Sequence, residues 1–88
     1  MNLNESWVLA IRSKVRRVLA KFPASDQARL VQVIHDLPKD LFVGDIEKMT
    51  DRETWRRRIG NYRIFYEIIP LQRVIYVFEI KRRTSSTY

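Results

Sequence analysis

Between Trp55 and Lys81 the chain alternates side chains with a period of two. Two breaks interrupt it, at Gly60-Asn61 and at Pro70-Leu71-Gln72. Successive residues of a strand point to opposite faces, so this pattern predicts three strands, Trp55 to Ile59, Tyr62 to Ile69 and Arg73 to Lys81. The two short breaks join them into an antiparallel meander. One face then carries Tyr62, Ile64, Tyr66, Ile68, Val74, Tyr76, Phe78 and Ile80, and is apolar or aromatic throughout. The other carries Arg63, Phe65, Glu67, Ile69, Arg73, Ile75, Val77, Glu79, Lys81 and Arg83, a mixture that has to stay partly wet. With Trp55 and Ile59 turned to the core, Arg56 and Arg58 join the wet face. Arg57 falls on the core side, where its long stem can carry the charge out at the rim. The aromatic set Tyr62, Tyr66, Tyr76 and Phe78 has core parity and reads as packing.

The apolar face needs a cover, and the first half of the sequence supplies it. Ser6 to Ile11 is short, aromatic and β-branched, as a first strand should be. From Arg12 the period changes. Val15, Val18, Leu19 and Phe22 recur at helical spacing up to Pro23, and Leu30, Val33, Ile34 and Leu37 form a second apolar stripe, capped by Ser25 and closed by Pro38. Two helices so closely joined make a hairpin. The expected fold is therefore α+β: a helical hairpin on one face of a mostly antiparallel four-stranded sheet, in the order strand, helix, helix, three strands. Residues 38 to 53 show no strong period, and so long a connection has either a function or a turn of its own.

Eighty-eight residues leave room for one domain, spanning 1 to 88. With no cysteine and one histidine, neither disulfides nor a Cys/His zinc site can support so small a core, and no cofactor is called for. His35 lies beside an apolar stripe without a ligand or nucleophile partner at metal or triad spacing, and reads as a helix-surface residue. No apolar run approaches the length of a membrane span or a signal-peptide core, so a cytoplasmic protein is expected.

Charge gives the first functional indication. Seventeen Lys and Arg against ten Asp and Glu leave a net +7, which makes polyanions the natural partners. Residues 1 to 50 carry +2 and residues 51 to 88 carry +5; of the nine cations in the second part, eight are arginine. Arginine reads phosphate through a planar fork. Cross-strand pairing with Glu67 and Glu79 could engage part of this set. Two carboxylates cannot neutralise all of Arg56, Arg58, Arg63 and Arg83, so a phosphate site is expected on that face.

The run W-R-R-R-I-G-N-Y-R-I-F-Y from Trp55, the closing I-K-R-R-T-S-S-T-Y from Ile80, and the opening W-V-L-A-I-R-S-K-V-R-R-V-L-A-K-F-P from Trp7 resemble the RelE/ParE superfamily of toxins from type II toxin-antitoxin systems. The resemblance covers nearly the whole chain. It implies a metal-independent endoribonuclease that enters the ribosomal A site and cuts messenger RNA, with the ribose 2′-hydroxyl attacking its own phosphate. In that family pattern Arg56 and Arg58 match two basic strand positions that are lysines in RelE proper. Arg63 matches the arginine on the scissile phosphate, Arg83 the last-strand acid, with Arg82 as its alternative, and Tyr88 the C-terminal tyrosine that orients or stacks on the substrate. Arg57, Arg73, Lys81 and Arg82 would add contacts to RNA.

Arginine is always charged and makes a poor general base. The proton would then go to Glu67, Glu79, water or a ribosomal group. The resemblance also implies an acidic antitoxin as partner, alongside messenger RNA and ribosome. It leaves two other functions open, ParE-like poisoning of DNA gyrase without nuclease chemistry and a purely binding role as a non-catalytic basic relative.

Overall fold

The computed structural model describes residues 7–39, 46–49 and 54–82. In chain order these form β1 (Val8–Ile11), α1 (Ser13–Leu19), α2 (Ala24–Asp36), β2 (Ile46–Lys48), β3 (Thr54–Ile59), β4 (Tyr62–Ile69) and β5 (Val74–Arg82). The α+β class is as expected, with two helices against one face of a single sheet. The sheet has five strands where four were expected, in the order β1-β5-β4-β3-β2. The additional strand, β2, lies within the connection that lacks a period, and three residues are too few to show one.

Strands β2 to β5 pair antiparallel with their neighbours, whereas β1 runs parallel to β5, with Val8 opposite Val74 and Ile11 opposite Val77. That parallel pair requires a crossover. The two helices belong to it and lie over the sheet.

Each helix is held by its apolar stripe. Val15 and Leu19 of α1, with Leu30, Ile34 and the following Leu37 from α2, meet Tyr62, Ile64, Tyr66, Ile68, Ile75, Val77 and Ile80 in one buried cluster. Burying each such aliphatic side chain contributes roughly 1.5–3 kcal/mol, which matters most to α1, since an isolated helix of seven residues does not form in water. Ser25 does not cap α2. The entry residue is Pro23, whose carbonyl accepts the first helical bond from the Gln27 N–H, and no side chain caps this end. Proline suits the entry because its missing N–H is not needed there.

The β3–β4 hairpin turns through Gly60 and Asn61. Gly60 takes φ +56°, the left-handed value that a two-residue hairpin asks of its first residue when the twist is to match. The β4–β5 turn puts the same demand on a residue less suited to it, Arg73 at φ +55°.

One register shift changes the faces. Phe65 pairs with Glu79, but Tyr66 pairs with Val77, so Phe78 is an extra residue in β5. This β-bulge reverses the parity of everything before it in the strand. Ile75 and Val77, expected on the wet face, are fully buried under the helices. Val74, Tyr76 and Phe78, expected in the core, lie on the opposite side. None of the described helices is long and apolar enough to cross a membrane.

Candidate functional site

The sheet face away from the helices is open, and the pairing register sorts its side chains into rows, since directly paired residues share a face. The row nearest the β3–β4 turn is Arg58, Arg63 and Lys81, one cation from each of three adjacent strands. The next is Arg56, Phe65 and Glu79, extended by Glu47 of β2. The third is Thr54, Glu67 and Tyr76. Neighbouring strands are about 4.8 Å apart and same-face rows about 6.7 Å apart.

The acidic groups of this face are unevenly used. Glu47 is ion-paired with Arg56. Glu79 accepts from Lys14 Nζ at 3.0 Å, a pair that ties the start of α1 to the open face. Arg63 has no such partner among the described residues, and its Nε is buried without a hydrogen bond. An unsatisfied buried donor costs roughly 1–3 kcal/mol, and Arg58 and Lys81 on either side add like-charge repulsion. An anion bound in this row would relieve the repulsion.

Three of the expected residues stand away from this row. Arg57 is paired with Ile64 on the helix side of the sheet, and its charge opposes the upward push that burial gives the Tyr66 phenol. Arg82 also lies on that side, its guanidinium 5.9 Å from the centre of the Tyr62 ring. Arg73 occupies the β4–β5 turn, about 20 Å along β4 from Arg63. Arg83 and Tyr88 lie outside the described residues.

The two carboxylates expected as proton acceptors stand at different distances from Arg63. Glu79 is one row from Arg63, whereas Glu67 is two rows away, about 13 Å. Tyr62 supports the other face. Its hydroxyl donates to Asp26 Oδ2 at 2.7 Å, and this bond, with burial and the carboxylate charge, raises the phenol pKa above 10.0 against the opposing charge of Arg82. His35 is exposed at a small cleft between the helices. Among the described residues no three His, Cys, Asp or Glu side chains cluster as metal ligands would.

The residues that sequence reasoning missed are Arg12, Lys14, Tyr76 and Phe78. The rings of Phe65 and Phe78 are 6.4 Å apart, and those of Tyr76 and Phe78 6.3 Å apart, in an open-face aromatic cluster. A depression of about 450 Å³ is lined by Arg12, Lys14, Phe65, Phe78, Glu79 and Lys81. A neighbouring one of about 260 Å³ is lined by Arg12, Thr54, Glu67, Tyr76 and Phe78.

Comparison with known proteins agrees with this architecture. Residues 5–86 match the model of a family described as the ParE toxin of the type II toxin-antitoxin system, parDE. Among solved structures, the chain is similar to that of the archaeal RelE-RelB complex from Pyrococcus horikoshii, with a TM-score of 0.80 at 22% identity over 92% of this chain and 99% of the other. The RelBE2 toxin-antitoxin complex from Mycobacterium tuberculosis gives 0.72 at 25% identity, over 89% and 92%. Isolated Escherichia coli RelE gives 0.76 at 12% identity, over 91% and 87%. A search of curated protein sequences finds no significant match.

Proposed function

This chain belongs to the ParE toxin family of type II toxin-antitoxin systems, within the RelE/ParE superfamily, and on that premise we propose that it is an endoribonuclease that cuts messenger RNA on the ribosome. The observation that carries this reading is the row Arg58, Arg63 and Lys81, one cation from each of three adjacent strands on the open face. Three cations on adjacent strands fit one phosphate and its neighbours, and arginine adds the forked geometry that phosphate oxygens match.

In the proposed reaction the ribose 2′-oxygen attacks the adjacent phosphorus and the bond from phosphorus to the 5′-oxygen breaks. A 2′,3′-cyclic phosphate and a 5′-hydroxyl result. Arg63 holds the phosphate. Arg58 and Arg56 stabilise the negative charge that builds on its oxygens, an effect of about 10²–10³ in rate for one well-placed donor. Glu79, the nearer carboxylate, accepts the 2′-hydroxyl proton. Arg83 would hydrogen-bond the leaving 5′-oxygen as it takes up a proton from water, and Tyr88 would orient the substrate. The partner in the cell is an acidic antitoxin, as the RelB and RelBE complexes among the similar structures suggest.

A second reading, inhibition of DNA gyrase, is favoured by the match to the ParE model. Inducing the protein in growing cells and mapping RNA 5′ ends separates the two. Cuts inside translated codons that vanish with Arg63→Ala support the nuclease. Intact messages with a DNA-damage response support gyrase.

A further inference from the structure

The open face holds more than a phosphate row. Phe78 reaches it only because of the bulge in β5, and it stands between the two depressions, lining both. On one side of it lies Phe65 and on the other Tyr76, each ring a little over 6 Å from its own. Arg12 is the other residue common to both depressions; it is exposed and makes no ion pair among the described residues. The smaller depression also holds a carboxylate, Glu67, able to accept from an amino group. The larger is continuous with the phosphate row through Lys81.

Aromatic side chains on an exposed sheet face, rimmed by cations, are the means by which proteins hold unpaired bases, because every base offers a flat π-face. We propose that Phe78 separates two successive unpaired nucleobases of the RNA strand, one seated in each depression, with Arg12 on the phosphate that links them. The inference rests on the RNA reading above and adds to it a two-nucleotide subsite beside the scissile phosphate. Bulges that re-aim a side chain often stand next to functional sites, and here the bulge brings both Tyr76 and Phe78 out of the core parity.

Equilibrium binding of the full chain to short fluorescent single-stranded RNAs tests it, with every ribose 2′-O-methylated so that none can be cut. A single abasic position is moved along the strand. Two adjacent positions should each weaken binding about tenfold when abasic, with the others near neutral. With Phe78→Leu the same two positions should lose that sensitivity, and Arg12→Gln should weaken intact and abasic strands by the same factor.

Affinity that depends on salt and on Arg63 but is indifferent to abasic position would overturn the subsite and leave the nuclease reading standing. Failure of the wild-type chain to bind any of these RNAs would also overturn the subsite, while the nuclease reading is decided separately by cleavage on ribosomes. The abasic scan on the wild-type chain decides the matter even where the Phe78 variant folds poorly.

Discussion

Arg63 shows how one residue separates function from stability. Its buried Nε lacks a partner among the described residues, and Arg58 and Lys81 share its row, so the free protein holds it in an unfavourable setting. Arg63→Ala should therefore lower RNA cleavage by about 100-fold or more while leaving the melting temperature unchanged or slightly raised. A variant that lost cleavage by unfolding would show the opposite in a thermal scan. Tyr62 behaves in the reverse way. Its hydrogen bond to Asp26 raises its pKa in the folded chain, and burial raises that of Tyr66. The folded state thus holds these phenol protons more tightly than the unfolded state. The stability they contribute is complete below pH 10 and is lost as pH rises through the raised values. Urea midpoints measured against pH should fall above about pH 10, and Tyr62→Phe should lower the plateau and make that fall shallower.

At the scale of elements, β3 and β4 were legible in extent and in facing, whereas β5 was legible in extent but not in the facing of its first half. In β3 and β4 the arginines and Glu67 punctuate the apolar positions, so parity assigned Arg56, Arg58 and Arg63 to the open face correctly. From Val74 to Phe78, β5 is apolar or aromatic at every position, and no polar residue marks where the bulge shifts the register. Arg12 and Lys14 reach the site because β1 pairs in parallel with β5, a contact 65 residues long in the Lys14–Glu79 pair, and local periodicity carries no trace of it. Arg73 gives an element-scale test. Its left-handed backbone costs about 1–2 kcal/mol for an L-residue, and glycine there forfeits roughly 0.5–1 kcal/mol of entropy. Arg73→Gly should raise stability by about 0.5–1 kcal/mol in urea unfolding. Being far from Arg63, it should leave RNA affinity unchanged.

For the whole molecule, the net charge of +7 acquires a direction. The row Arg58, Arg63 and Lys81 sits on one face and at one end of the sheet, while the helices cover the other face. Binding to single-stranded RNA should weaken with salt, with a log-log slope of about −2 for three phosphate contacts, and Arg63→Gln should reduce that slope by about 0.7. What this face does to the strand it binds is written in the chemistry of the cut ends. With purified toxin, ribosomes and a defined message, cleavage should leave a 5′-hydroxyl on one fragment and a 2′,3′-cyclic phosphate on the other, and no cut should occur at a 2′-deoxy position. A 5′-phosphate end, or cleavage that persists at the 2′-deoxy position, would contradict it.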